Sequence, residues 1–192
     1  MTGPAGRDLP PGGERLVWRE AAHGSGAFHC GHLHVPGRGR LDEGARRLSH
    51  EEYGVAQLLA LEGHDVRSLR ESRRAGRRAD LLVCGSLVEV KSFAPPEERR
   101  RDPTPQSVFN KLVDASEQAP HVVLVGAGSH LTAATVRRGL ARYAASRPPV
   151  PPLASVRAIG DGYDVGWSRR PGVELARPVA RAPILTERGM GL

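Results

Sequence analysis

The sequence ADLLVCGSLVEVKS, residues 79–92, decides the fold of this chain. Two short runs rich in leucine and valine flank the pair Gly85-Ser86, and runs of this kind are typical of β-strands. A two-residue loop that begins with glycine is typical of a tight hairpin. We therefore predict an antiparallel hairpin with its turn at Gly85-Ser86, which places Cys84 opposite Leu87.

The predicted hairpin brings two acids and a lysine onto one face. Its register pairs Leu82 with Glu89 and Asp80 with Lys91. Because side chains alternate between the two faces of a strand, Asp80, Glu89 and Lys91 point to the same side and toward a cleft. The opposite face is apolar and is expected to pack against a helix. It consists of Leu81, Val83, Val88 and Val90.

The grouping of Asp80, Glu89 and Lys91 indicates phosphodiester chemistry. Two carboxylates held close together repel each other, so the pair favours a bound proton or a bound cation, and oxygen ligands favour Mg²⁺ or Mn²⁺. A neighbouring lysine can orient an attacking water and stabilise negative charge on a phosphoryl oxygen. Lys91 is one of only two lysines among 28 Lys and Arg residues, which suggests a need for its compact ammonium. The alternative is a simple cross-strand ion pair.

The flanking sequence predicts further helices and strands. Residues 49–62 have apolar side chains at helical spacing, a Ser49 cap with Glu52 three positions later, and Gly63 at the end. Residues 64–69 predict a strand before the hairpin. The later segments predict a helix over residues 107–118, a buried strand over 121–126 and a helix over 131–145. The predicted order is αβββαβα, an α/β fold.

This order, with Asp80 opening the second strand and Glu89-Val90-Lys91 on the third, resembles the PD-(D/E)XK nuclease superfamily, with Ala79 in place of the motif's proline. Within that superfamily the chain resembles the tRNA-nuclease domain at the C-terminus of CdiA contact-dependent inhibition toxins. The resemblance covers about residues 50–145. The segments that carry it are residues 51–59, 63–66, 79–80, 85, 89–91 and 115–119.

The resemblance implies a restriction-endonuclease-like core, with a mixed central sheet flanked by helices, and a metal-dependent endonuclease that cleaves RNA, with tRNA favoured. It also implies that Asp80 and Glu89 bind Mg²⁺ or Mn²⁺ with help from the Val90 carbonyl, that Lys91 is catalytic, and that a glutamate of the first helix completes the site. We prefer Glu52 for this role, because it follows the buried stripe of the helix, and Glu51 is the alternative. A capping-box carboxylate is a second predicted role for the same side chain.

Arginine-rich segments around the predicted cleft favour a polyanionic partner. The formal net charge is +7 and the sequence pI is about 10.4. Arginines that neutralise phosphates give salt-sensitive binding that depends little on sequence, whereas a solvated charged surface is the alternative. The residues predicted to contact nucleic acid are Arg73, Arg74, Arg77, Gln118, Arg137 and Arg138. For the glutamine, which ends a predicted helix, a solvent-facing role is the alternative.

Glycine and proline are concentrated outside the predicted core and divide the chain into four regions. These are a flexible Gly/His-rich leader (1–48), a nuclease-like domain (49–147), a Pro-rich connector with a hairpin (148–168) and a disordered tail (169–192). Cys30, His32 and His34 alternate within the leader, but a zinc site there would lack a fourth ligand, so a polar hairpin is the preferred interpretation. The sequence assigns no role to His29.

The chain has no segment with the apolar length of a signal peptide core or a transmembrane helix, so we expect a cytoplasmic protein. The resemblance to CdiA toxins implies an immunity protein as a partner and delivery to target cells. Three alternatives stay open. These are cleavage of RNA through its own 2′-hydroxyl without a metal, a DNA endonuclease on the same fold, and a catalytically inactive module that binds nucleic acid or a partner.

Overall fold

The computed structural model describes residues 19–21, 36–70, 79–98, 101–146 and 153–168. Within these ranges the α-helices are α1 (His50–Leu61), α2 (Pro105–Ser116) and α3 (Ala133–Ala145). The strands are β1 (Arg19–Ala21), β2 (Leu41–Asp42), β3 (Val66–Ser68), β4 (Leu81–Val83), β5 (Ser86–Ser92), β6 (His121–Val125), β7 (Ser155–Gly160) and β8 (Tyr163–Ser168). None of these helices has the length and apolar character needed to span a membrane.

The strands form one mixed sheet in the order β1-β8-β7-β6-β5-β4-β3-β2. Strands β5, β6 and β7 are parallel neighbours, as are β2 and β3, and the other pairs are antiparallel. The elements from α1 to α3 follow the order α1, β3, β4, β5, α2, β6, α3. The predicted αβββαβα order and the α/β fold with a mixed central sheet are therefore confirmed.

The sheet takes strands from three of the four regions predicted from composition. Strands β1 and β2 lie in the predicted leader, β3 to β6 in the predicted nuclease-like domain, and β7 and β8 in the predicted connector. The hairpin expected in the connector is present, and β7 pairs with β6 at one side of the core strands. Residues 1–18 and the predicted tail, 169–192, lie outside the described residues.

The turn between β4 and β5 differs from the predicted one. Its two loop residues are Cys84 and Gly85, with φ of 47° and 85°, and Ser86 is already paired with Val83. Two successive positive φ values are characteristic of the type I′ hairpin loop, which matches the twist of the flanking strands and favours glycine at its second position. The predicted Gly85-Ser86 turn is therefore wrong, because the glycine occupies the second loop position rather than the first.

The corrected register leaves the faces of the hairpin unchanged. Leu82 pairs with Leu87, a shift of two residues from the prediction, and a strand repeats its side-chain direction every two residues. Continuing this register places Asp80 opposite Glu89, where the predicted partner was Lys91. The two acids and the lysine still share one face of the hairpin.

Helices cover the two faces of the sheet. The apolar face of the β4–β5 hairpin belongs to the same core cluster as α1, as predicted. This cluster includes Val55, Ala56, Leu59, Leu81, Val83, Val88 and Val90. Helices α2 and α3 pack on the other face, in a cluster that includes Val108, Leu112, Leu140, Val122, Leu124 and Val156. The charged face of the hairpin therefore lies on the α2 side.

A buried ion cluster joins the end of α1 to the hairpin formed by β7 and β8. Arg157 of β7 has 0% of its side chain exposed, and its guanidinium donates to Glu62 at 2.6 and 2.7 Å. The same guanidinium donates to Asp164 of β8 at 2.6 and 2.9 Å. Two carboxylates in bidentate geometry compensate the buried charge, so this cluster fixes α1 relative to β7 and β8.

Candidate active site

The Asp80 carboxylate is fixed at the point where the chain enters β4. Its Oδ2 accepts a hydrogen bond of 2.9 Å from the Val90 backbone N–H on β5. Val90 follows Glu89, whose side chain is on the charged face and is buried, with 4% exposed. The bond therefore holds the two predicted acids side by side across the strand pair.

Lys91 is held by one carboxylate from the sheet and one from a helix. Its Nζ lies 2.6 Å from Glu89 Oε1 and 2.8 Å from Asp114 Oδ2 on α2. The expected cross-strand pair of Lys91 with Asp80 is not the one that forms, because the register places Glu89 there instead. Sequence reasoning missed Asp114, whose signal is an acid four residues before Gln118, one helical turn earlier in the helix predicted over residues 107–118.

One oxygen of Glu89 is buried and unpaired. Glu89 Oε2 has no hydrogen-bond partner within the described part of the chain, whereas Oε1 binds Lys91. A buried carboxylate oxygen without a partner costs free energy comparable to a lost hydrogen bond to a charged group. This oxygen is therefore an open acceptor beside Asp80, suited to a cation or to a donor from a ligand.

Arg46 links the first helix to the acid pair. Its Nη1 lies 2.7 Å from Glu52 Oε2, and its Nη2 lies 2.9 Å from Glu52 Oε1 and 2.9 Å from Asp80 Oδ1. Glu52 Oε2 also accepts from the Ser49 N–H at 2.8 Å, as the predicted capping box requires. The structure thus brings Glu52 to the acidic cluster, while Glu51 stays exposed.

The surroundings of Asp80 and Glu52 shift the pKa values of these two acids in opposite directions. Burial, with added repulsion from Glu89 and Glu52, raises the pKa of Asp80 from 3.8 to about 7, against the opposing effect of the Val90 N–H. Burial also acts to raise the pKa of Glu52. Hydrogen bonds from Arg46 and from the Ser49 N–H outweigh it, so that this pKa lies below its ordinary value of 4.5. Asp80 therefore exchanges its proton near neutral pH, which is common at functional sites.

The acid pair fits a cation bound through two carboxylates. Mg²⁺ is commonly held by one or two carboxylates, with waters and substrate phosphate completing its octahedron. Glu89 Oε2 supplies an open oxygen, and Asp80 supplies a second carboxylate next to it. Among the described residues there is no group of three or more His, Cys, Asp or Glu side chains arranged to hold a metal. The described residues therefore offer Glu89 and Asp80 rather than a full cage, because Arg46 binds both oxygens of Glu52; it also binds Oδ1 of Asp80.

The other residues predicted to bind nucleic acid fall in different places. Gln118 is half-buried, and its Nε2 donates to the Asp114 carbonyl at 3.2 Å, so it stabilises the end of α2 next to the Lys91 partner. Arg137 and Arg138 are exposed on α3, the helix that packs against α2. The remaining three, Arg73, Arg74 and Arg77, lie outside the described residues, as do Cys30 and the histidines of the leader.

Arg46 was not singled out by the sequence, because it falls in the segment interpreted as a leader. Its signal is position alone, since it is an arginine three residues before the Ser49 cap of a helix that opens with two glutamates. An arginine there can reach back to carboxylates in the first helical turn. Nothing in its local pattern predicts the second contact, with Asp80 on a distant strand.

Comparison with known proteins gives a structural likeness. No protein-family model matches the chain, and no curated protein matches it. Among solved structures the chain is similar to a chain of the CdiA-CT/CdiI toxin and immunity complex from Burkholderia pseudomallei, at 18% sequence identity. The similarity covers 62% of this chain and 91% of that chain, with a TM-score of 0.43.

Proposed function

We propose that this chain is a metal-dependent nuclease that hydrolyses phosphodiester bonds of RNA, with tRNA as its substrate. The observation that carries the proposal is the buried Glu89 carboxylate, which fixes Lys91 with one oxygen and leaves the other open beside Asp80. An acid pair and a positioned lysine are the groups that metal-assisted phosphodiester cleavage requires. Glu89 is buried and Asp80 and Lys91 are partly buried on the α2 side of the sheet, which gives them the restricted orientation that catalysis needs.

In this proposal Asp80 and Glu89 hold Mg²⁺ or Mn²⁺, with the Val90 carbonyl as a further ligand. The ion would supply Lewis-acid polarisation of the scissile phosphate. Because Asp80 has a pKa of about 7, its deprotonation and cation binding are coupled. Affinity for the metal should therefore increase between pH 6 and pH 8.

Lys91 is the residue that acts on the reacting groups. Its ammonium is held between Glu89 and Asp114, so its position is set by the strand and by α2 rather than by its flexible stem. From there it orients the attacking water and stabilises charge that develops on a phosphoryl oxygen. Asp114 is a positioning residue, since it acts through Lys91.

Arg46 and Glu52 act one step further out. The guanidinium bridges Glu52 and Asp80, so it offsets the repulsion among the acids before a cation binds. Glu52 fixes that guanidinium and caps α1 with the same carboxylate. We therefore assign Glu52 a positioning role, in place of the catalytic role expected from the sequence.

The choice of RNA, and of tRNA in particular, depends on the sequence motifs that resemble CdiA toxin domains and on the basic character of the chain. The net charge of +7 favours a polyanion but does not distinguish RNA from DNA. A toxin role, delivery to target cells and an immunity protein as a partner belong to the same proposal.

The test is cleavage of labelled tRNA and duplex DNA by the purified chain, with Mg²⁺, with Mn²⁺ and with EDTA. We expect metal-dependent cleavage of tRNA that Asp80→Ala and Glu89→Ala each abolish. Glu51→Gln is the matched control, because it removes an exposed carboxylate near the cluster and should cleave like the wild type.

Each other outcome replaces a specific part of the proposal. Wild-type rates in both alanine variants overturn the nuclease site. Cleavage of DNA but not of tRNA would mean that the substrate is DNA. Full activity in EDTA would mean that cleavage uses the 2′-hydroxyl of RNA and needs no metal. Binding of tRNA without cleavage indicates an inactive binding module. Circular dichroism of each variant shows whether lost activity reflects lost folding.

A further inference from the structure

The second lysine of the chain lies beside the first. Lys111 on α2 is half-buried, and its Nζ is 5.0 Å from the centroid of the Phe93 ring. Phe93 follows Lys91 by two positions along the chain that continues β5, and it belongs to the core on the α2 side. Because extended chain repeats its side-chain direction every two residues, the ring holds the Lys111 ammonium on the same side of the sheet as Lys91.

Helix α2 directs Lys111 and Asp114 to this site together. Residues three apart on a helix share a face, and Asp114 is already bound to Lys91 at 2.8 Å. Burial lowers the pKa of Lys111, and repulsion from Lys91 lowers it further. The two ammonium groups are therefore close enough to interact.

The two lysines differ in how their charge is compensated. Lys91 has two carboxylate partners, Glu89 and Asp114. Lys111 has none among the residues that the structure describes, and its ammonium lies over the face of the Phe93 ring. A half-buried ammonium has lost part of its hydration, and a ring face compensates that loss less than an anion does. The site thus contains a cation that no carboxylate among the described residues compensates.

We propose that Lys111 binds a phosphate of the RNA backbone next to the scissile phosphate, as a further substrate-binding residue of the site. This inference rests on the nuclease function proposed above. The composition supports it, because both lysines of a chain with 28 Lys and Arg residues meet at this one place.

The test measures tRNA binding against salt concentration in an Asp80→Ala background, which prevents cleavage. Lys111→Met keeps the apolar stem over Phe93 and removes the charge. We expect it to weaken binding and to reduce the slope of log affinity against log salt by about 0.7 to 0.9, the value for one lost phosphate contact. Lys111→Arg restores a cation and should restore most of the slope.

The matched control is Arg38→Gln. Arg38 is exposed and follows Gly37, whose N–H donates to the Leu61 carbonyl at the C-terminal end of α1. Its loss lowers the net charge by the same amount at a distance from the cleft, so the slope should stay that of the parent. Thermal unfolding of each variant checks that the fold is retained.

The outcomes separate this inference from the proposed function. Equal slopes for Lys111→Met and Arg38→Gln, with tRNA binding intact in the parent, overturn the role of Lys111 alone. Absence of tRNA binding in the parent and in the wild type overturns the nuclease proposal and this inference with it. A Lys111→Met protein that fails to fold leaves Lys111→Gln and Lys111→Arg to decide by the same slopes.

Discussion

The raised pKa of Asp80 predicts that titration of this one residue makes the stability of the protein depend on pH. Burial next to Glu89 and Glu52 raises this pKa from 3.8 to about 7 in the folded protein. Below pH 3.8 the carboxyl is protonated in both the folded and the unfolded chain. As the pH rises toward 7, the unfolded chain releases the proton while the folded chain keeps it, so the free energy of unfolding decreases. Above pH 7 both states are ionised and the decrease ends.

The size of this effect follows from the pKa values. Each pH unit over which only one state holds the proton changes the free energy of unfolding by about 1.36 kcal/mol, so the span from pH 5 to pH 7 gives about 2.7 kcal/mol. The side chain keeps 17% of its surface exposed, and solvent screening reduces the effect to about 1 to 2 kcal/mol. Asp80→Asn removes the titration while keeping the shape of the side chain. Its free energy of unfolding should therefore rise relative to the wild type by that amount between pH 5 and pH 8.

The assay is urea unfolding followed by circular dichroism at pH 5, 6, 7 and 8, in EDTA to keep metals out. The other ionisable groups are common to both proteins and cancel in the difference between wild type and Asp80→Asn. Glu51→Gln serves as the control for loss of an exposed carboxylate, and its curve should run parallel to that of the wild type. Parallel curves for Asp80→Asn and the wild type would refute the reasoning, because they would mean that Asp80 titrates alike in the folded and unfolded states.

Three further predictions concern the lysine and the packing. Lys91→Arg should slow cleavage at least about tenfold, equal to about 1.4 kcal/mol of barrier, because a planar guanidinium displaces the attacking water. Unchanged steady-state rates at matched stability would mean that Lys91 is only an ion-pair partner. The double variant Glu62→Gln/Asp164→Asn leaves the buried charge of Arg157 uncompensated and should cost about 3 to 5 kcal/mol in urea unfolding, whereas a loss under about 1 kcal/mol would contradict the cluster's role. Gly139→Ala puts a Cβ 2.5 Å from side-chain atoms of α2 and should lower the free energy of unfolding by about 1 to 3 kcal/mol. An unchanged melting temperature would mean that α2 and α3 can move apart to accommodate the methyl group.

The local pattern of the sequence determined the elements and the sides they present. Alternation along β4 and β5 separated an apolar face from the acids and Lys91, and this held despite a turn placed one residue too late, because a register shift of two preserves the faces. The pair Ser49 and Glu52 likewise predicted where α1 begins from local sequence alone. A capping box joins groups three residues apart.

Only the tertiary structure decided which side chains surround the acids. Arg46 reaches Asp80 across 34 positions of sequence, and Asp114 reaches Lys91 from a helix that follows a separate loop. The pKa of Asp80 and the open oxygen of Glu89 likewise result from burial beneath elements distant in sequence. Periodicity describes how a residue relates to its near neighbours along one helix or strand. The partners of the site are set instead by how α1, α2 and the segment before α1 pack onto the sheet, and that packing is a property of the whole fold.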